Sequence, residues 1–255
     1  MQAIVTGGSS GLGLAIAKRL AKKGYDLVLV AKNDKRLEDA ADAIRKLNAS
    51  VDVKTLATDL SVQGAPERVF EWAKEQGVQA EVLVNDAGTY IYDNVIDVSS
   101  ERSRAILGLN VEATADMCRL FGADMASRAT RKQPCYILNI ASYSVYMPVE
   151  KLGYYAASKA FIKVFTTCFA KEMAHRNVLV TAVAPAGIDT DLMGLRTNIR
   201  NLARKTGFLA KPDVIARISL RVMKMRCIRY WIPLWYNAIA IPFLWMFQPL
   251  FKKVL

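Results

Sequence analysis

The chain has 255 residues, a net charge of +12, four cysteines and one histidine, a length that suits one large α/β domain or two small ones. The charge is lopsided. From Leu192 onward twelve Lys/Arg face Asp213 alone, so this quarter carries +11 and the rest +1, which excludes a basic nucleic-acid face spread over the whole molecule.

Apolar strand-like runs at 2–6, 26–31, 51–57, 82–85, 136–140, 178–183 and 228–232 alternate with amphipathic helical stretches between the first six. The alternation favours one domain: a parallel sheet covered on both faces, with its ligand at the carboxyl ends of the strands. Gly7, Asn85, Ser142 and Pro185 all fall just after such strands. Because the first strand begins at residue 2, no secretory signal or transit peptide is expected, and the nucleotide-binding part is expected in the cytoplasm.

The first strand runs into Gly7-Gly8-Ser9-Ser10-Gly11-Leu12-Gly13. Glycines there let the backbone approach a pyrophosphate at a helix N-terminus, where free N–H groups and the helix dipole favour an anion. Read alone, the loop is equally an ordinary flexible turn. Cys118, Cys135, Cys168 and Cys227 are scattered without a C-x-x-C pair, so reduced thiols and no metal site are expected. His175 is the only histidine and reads as a polar helix-terminal residue.

Tyr155-Ala156-Ala157-Ser158-Lys159 puts a phenol and an ammonium at i and i+4 on one helix face, thirteen residues after Ser142. A phenol with a pKa near 10 is a poor acid at neutral pH, and a neighbouring positive charge brings it toward the working range. A lone Tyr-x-x-x-Lys pair is common on helix surfaces. Together with the glycine loop, Asn85-Asp86-Ala87-Gly88, Asn110 and Ser142, in this order, the pair resembles the short-chain dehydrogenase/reductase family, from residue 2 to about Thr190. Two positions depart from the family pattern: Asp86 stands where Asn is usual, and Ala186 replaces Gly in Pro185-Ala186-Gly187-Ile188-Asp189-Thr190.

The resemblance implies a doubly wound Rossmann fold with a seven-stranded, mainly parallel sheet. It divides the chain into a cofactor-binding and catalytic core at 1–190, a substrate lid at 191–212, and a C-terminal helix, last strand and aromatic tail at 213–255. By the same resemblance, Tyr155 is the proton donor to a carbonyl oxygen, Ser142 holds the developing alkoxide, Lys159 binds the nicotinamide ribose and tunes Tyr155, and Asn110 holds a water that returns the proton. Cofactor contacts are implied for Gly7, Ser9, Ser10, Gly11, Leu12, Gly13, Asn85, Ala87, Gly88, Tyr155, Lys159, Pro185, Ile188 and Thr190, the last steadying the carboxamide. Family members specific for NAD carry Asp where this chain has Ala31. Lys32 offers an ammonium where NADP-preferring members usually have Arg, so NADP(H) is favoured over NAD(H). Otherwise Lys32 is a solvated loop lysine. Asp59 is similar to the family's adenine-contacting acid, or else an acid beside a helix N-cap.

The expected activity is interconversion of a carbonyl and a secondary alcohol, with a small-molecule carbonyl as substrate and a homo-oligomer as the assembly. The substrate is read from the C-terminal quarter. Leu192, Met193 and Leu195 stand beside Arg196, Arg200, Arg204 and Lys205, which suits an apolar molecule carrying a phosphate or carboxylate. From Tyr230 to Phe251 there is no charged residue, and Trp231, Trp235, Phe243, Trp245 and Phe247 crowd the segment. A tail lying in a membrane interface, a tail buried in an oligomer or over the cleft, and a spanning helix compete for it, the last opposed by Pro242 and Pro249. Membrane contact favours a long-chain or polycyclic ketone, such as a 3-ketoacyl chain, a ketosphinganine or a ketosteroid. The alternative is a soluble reductase of a small polar carbonyl, and a non-enzymatic NADP-binding protein ranks last.

Overall fold

The computed structural model describes residues 1–146, 149–194, 197–205, 209–226 and 229–232. The expectations for Leu195, Arg196, Cys227, Ile228 and the tail segment 233–251 lie outside these residues.

Seven strands form one sheet: β1 (Gln2–Thr6), β2 (Asp26–Ala31), β3 (Val53–Ala57), β4 (Val82–Asn85), β5 (Cys135–Ile140), β6 (Val178–Val183) and β7 (Tyr230–Trp231). Their order is β3-β2-β1-β4-β5-β6-β7 and every pair is parallel, so the sheet is wound outward in both directions from the boundary between β1 and β4. The predicted fold class is therefore the one observed. At such a reversal of strand order the connections leave in opposite directions and open a crevice above the carboxyl ends.

The helices are α1 (Gly11–Ala21), α2 (Asp34–Leu47), α3 (Ala65–Glu75), α4 (Ser100–Leu107), α5 (Ala113–Arg128), α6 (Gly153–Met173), α7 (Thr197–Lys205) and α8 (Pro212–Met223). Strand side chains alternate between two apolar layers, as a period of two requires. Ala3, Val5, Leu27, Leu29, Val82, Val84 and Leu138 pack under α1, α2 and α8; Ile4, Val28, Val30, Leu83 and Ile137 pack under α3, α5 and α6. Arg19 of α1 forks onto the Asp213 carboxylate at the start of α8, with contacts of 2.7 and 2.5 Å, and fixes those two helices side by side.

Two strands are shorter than the sequence pattern predicts. Val51 is buried, which extends the apolar run, but the Ser50 amide and hydroxyl both bond to Asn48 Oδ1 and the Asp52 amide donates to Asp26 Oδ1. The turn consumes the backbone donors there, so the β3 ladder starts only at Val53. β7 pairs through Tyr230 and Trp231 alone. Among the described residues no helix is long and apolar enough to cross a membrane.

Leu83→Ala would empty a fully buried site on the middle of β4. We expect it to lower stability by about 3 kcal/mol, measured as a reduced urea midpoint with an unchanged denaturant slope.

Candidate active site

β1 ends at Thr6, and the chain then turns through Gly7 (φ +67°) and Gly11 (φ +56°), left-handed positions that disfavour any side chain. Ser10 caps α1 in extended geometry without a side-chain hydrogen bond, so its hydroxyl does not occupy the first amides of the helix. A Cβ on Gly13 would stand 2.4 Å from the Gly7 carbonyl and 2.7 Å from Asp86 Oδ2, so only glycine lets α1 close on the loop. Thr6 Oγ1 accepts the Asp86 and Ala87 amides, both at 3.1 Å, and so pins the turn after β4 to the end of β1.

Behind the crevice runs a buried polar frame. Asn85 Nδ2 donates to Asn139 Oδ1 at 2.9 Å, and Asn139 Nδ2 donates to Thr166 Oγ1 at 2.9 Å, tying β4, β5 and α6 together. Between α4 and α5 the helix widens into one π-helical turn, Gly108–Glu112, which carries the fully buried Asn110. Asn110 Oδ1 accepts the Thr89 amide at 2.9 Å, while its Nδ2 donates to the Thr89 carbonyl at 3.1 Å and to Ser158 Oγ at 3.0 Å. Ser158 in turn donates to the Tyr155 carbonyl at 2.8 Å. Asn110 therefore holds the first turn of α6 against the loop after β4.

The cavity above this frame has a volume of about 750 Å³. Of the residues expected at a site, Gly7, Ser10, Gly11, Leu12, Ala87, Gly88, Ser142, Tyr155, Lys159, Pro185, Ile188 and Thr190 line it. Asn85 and Asn110 sit one layer behind, in the polar frame. Ser9, Gly13, Lys32 and Asp59 are not among its lining residues. Tyr90, Tyr143, Leu152, Leu192 and Arg36 also line it, Tyr90 and Leu152 in the same apolar cluster as Tyr155. Leu192 was expected from the sequence as an apolar substrate contact; the other four carry no motif, and their place on the cavity wall follows only from the folded geometry.

Lys159 is buried and donates to the Ile140 carbonyl at 2.9 Å, with its ammonium 5.9 Å from the centre of the Tyr155 ring. Burial pushes the Lys159 amine down to about 8, against the pull of Asp86. Burial also raises the Tyr155 phenol, opposed by its hydrogen bond with Ser142 and reinforced by the charge of Asp86. The expectation that Lys159 depresses Tyr155 is thus corrected for the protein alone: the ammonium is itself desolvated and is held by a carbonyl of β5, so burial governs the phenol.

The two basic clusters are also engaged. Lys32 Nζ lies 2.7 Å from Asp59 Oδ2, so the two residues expected to contact the adenosine end pair with each other. Arg200 bonds Asp189 at 2.6 Å and Asp191 at 2.6 Å, and Arg204 bonds Asp189 as well. Arg200 and Arg204 are thus held by carboxylates of the chain itself, although Arg200 lines the cavity, which corrects for these two the expectation that they offer open charge to a substrate phosphate or carboxylate. Arg36 forms no ion pair among the described residues; its amide closes the Asn33 cap of α2 at 2.9 Å.

The family model for short chain dehydrogenase matches residues 1–200. An uncharacterized oxidoreductase of Staphylococcus saprophyticus is 32% identical over 192 residues, covering 75% of this chain and 80% of that one. A very-long-chain 3-oxoacyl-CoA reductase of Bos taurus is 31% identical over 225 residues, covering 87% of this chain and 68% of that one. Among solved structures, a short-chain dehydrogenase from Sphingobium yanoikuyae in complex with NADPH superposes with a TM-score of 0.81 at 25% identity, covering 98% of this chain and 95% of that one. With a glycine loop, a buried lysine and a cleft-facing tyrosine set at the reversal of strand order, the chain belongs to the short-chain dehydrogenase family of oxidoreductases.

Proposed function

We propose that the protein reduces a hydrophobic ketone with NADPH. The observation that carries this reading is that Ser142, Tyr155 and Lys159 share one cavity with the glycine loop, and that Tyr90, Tyr143, Leu152 and Leu192 are among its walls, Tyr90 and Leu152 packed with Tyr155. The Tyr90 ring meets Tyr155 edge-on at 5.0 Å, so a carbonyl reaching the phenol sits against an aromatic, water-excluding surface. The similarity to a very-long-chain 3-oxoacyl-CoA reductase supports a long-chain ketone.

The residues fit a dinucleotide. The glycine-only approach of α1 to the loop leaves a cradle for a pyrophosphate, and Thr190 Cγ2 lies 3.2 Å from the point where Gly11 would carry a Cβ, bringing the loop after β6 to the same end. Gly7, Ser10, Gly11 and Leu12 would hold the pyrophosphate, Lys159 the ribose hydroxyls, and Pro185, Ile188 and Thr190 the nicotinamide. When bound, the cofactor supplies hydride.

The chain supplies the proton. Tyr155 donates it to the carbonyl oxygen, and Ser142 holds that oxygen as charge develops on it. Burial favours the neutral phenol, so at neutral pH Tyr155 stands ready as the acid. Lys159 stabilises the phenolate left behind. Both N–H bonds of the Asn110 amide are used by Thr89 and Ser158, so its side chain has no donor left for a water returning the proton. Residues 191–212 act as the lid, supported by the clamps from Arg200 and Arg204 to Asp189 and by the bridge between Ile188 and Ala210.

At the adenosine end, Lys32 and Arg36 stand at the second strand's exit without the acid that would repel a 2′-phosphate. Lys32 must share its charge with Asp59, whereas Arg36, on the cavity wall, forms no ion pair among the described residues.

Tyr155→Phe is expected to leave NADPH binding nearly unchanged while turnover falls by about 100-fold or more; a variant retaining more than about 3% of the wild-type rate would sink the acid assignment. Steady-state rates of NADPH oxidation across carbonyls of increasing chain length test the substrate class, with kcat/KM expected to rise with length and a preference for short polar ketones overturning it. In the Lys32→Ala/Arg36→Ala double variant, KM for NADPH should rise about tenfold and that for NADH should stay in place. Equal effects on both cofactors would refute the NADP preference.

A further inference from the structure

Asp86 is a carboxyl where the family carries an amide, and its surroundings give the exchange a consequence. It lies in the turn after β4, half-buried, on the wall of the cavity. Its own amide is held by Thr6, and its carboxylate accepts the Gly13 amide in the first turn of α1. Oδ2 and the Gly7 carbonyl both lie within 2.7 Å of one point, the missing Cβ of Gly13. The carboxyl therefore occupies the end of α1 that the pyrophosphate cradle uses.

An asparagine here would accept the Gly13 N–H with its oxygen and donate with its nitrogen. A protonated carboxyl reproduces that pattern, with one acceptor oxygen and one O–H. An ionised carboxyl does not: it loses the donor and places a full negative charge at a helix N-terminus that an anionic ligand also needs.

We propose that Asp86 is a positioning residue for the dinucleotide, that its carboxyl must be neutral for tight binding, and that cofactor binding draws a proton onto it. This rests on the reading that the glycine loop holds a nicotinamide dinucleotide. The groups that face Asp86 are the Gly13 amide and dipole of α1, the Thr6 hydroxyl of β1, and Lys159 and Tyr155 of α6. Lys159 is the cation whose field it feels. Burial nevertheless outweighs that cation and the Gly13 bond and pushes the carboxyl up to about 7. Its neutral form thus prevails below that point and its charged form above it. Affinity for the dinucleotide accordingly falls as the pH rises through this range, because the bound form keeps the proton that the free form loses. Lys159, pushed down to about 8, adds a separate fall at higher pH as it loses its charge.

The test is the dissociation constant of NADPH and of NADH for the full-length protein, measured by fluorescence titration. Between about pH 6 and pH 7.5 the wild-type value should rise about fourfold for both cofactors, while Asp86→Asn, which keeps the shape and removes the charge, should lose most of that rise and keep only the later fall from Lys159, no longer supported by the Asp86 charge. NADH lacks the 2′-phosphate, which titrates near pH 6 on its own, so a slope seen with NADPH alone would overturn the proposal. A wild-type slope retained in Asp86→Asn, or weaker binding by the variant at every pH, would also overturn it. Calorimetry of NADH binding to the wild type in two buffers of different ionisation heat gives a readout that needs no variant. Uptake of about half a proton at pH 7 is expected, and none would refute the role. If neither cofactor binds at any pH, the dinucleotide reading falls together with the proposal; binding without a pH step removes the proposal alone.

Discussion

An ammonium ion taken out of water governs this site. Isolated burial of a charge costs several kcal/mol, and Lys159, only 5% exposed, is kept inside by the Ile140 carbonyl and by the field of Asp86. That arrangement exists only because β5 ends where α6 begins its second turn, so the strand's last carbonyl faces the helix. The position of α6 is set in turn by Asn110, which reaches Ser158 from a helix that must widen into a π-helical turn to present it. Tyr155 inherits its place from this frame: Ser158 holds its backbone, and the aromatic end of the cleft holds its ring.

The same frame explains which expectations the sequence supports by itself. Central strands were legible because both faces are covered, so 2–6, 26–31, 82–85 and 178–183 read as unbroken apolar runs and appear with the same bounds. The start of β3 was not, because Val51 is apolar for packing while its neighbours spend their amides on Asn48 and Asp26. Spacing placed Tyr155 and Lys159 on one helix face, since i and i+4 geometry is local. It had no access to the desolvation of Lys159, which depends on residues brought from β5 and the turn after β4. The pairing of Lys32 with Asp59 was equally hidden: it follows from the register of β2 against β3, where Ala31 faces Ala57, and the two side chains leave adjacent strand ends. Arg36, one helical turn beyond Lys32, became visible only as cavity wall. Of the tryptophan-rich segment only Tyr230, Trp231 and Ile232 lie within the described residues.

Charge is then less abundant in the cleft than the composition suggests. Asp59 draws in Lys32, Asp189 and Asp191 draw in Arg200, and Asp189 also holds Arg204. Exposed pairs of this kind add little to stability, but they decide where cations point. They hold the guanidinium groups of α7 on the chain's own carboxylates, even where Arg200 lines the cavity beside Leu192.

Those clamps also connect α7 to the glycine loop. Asp189 precedes Thr190, whose methyl group lies against the open face of Gly11, and the Asp189 amide donates to the Ala210 carbonyl at 3.0 Å just before α8. α8 is in turn fastened to α1 through Asp213 and Arg19. α7 is thereby tied, through Asp189, to the residue facing the first turn of α1, while α8 is anchored to that same helix. The loop after β6, α8 and α1 thus form one closed circuit of contacts to which α7 is fastened, and none of the three can shift without loading the others.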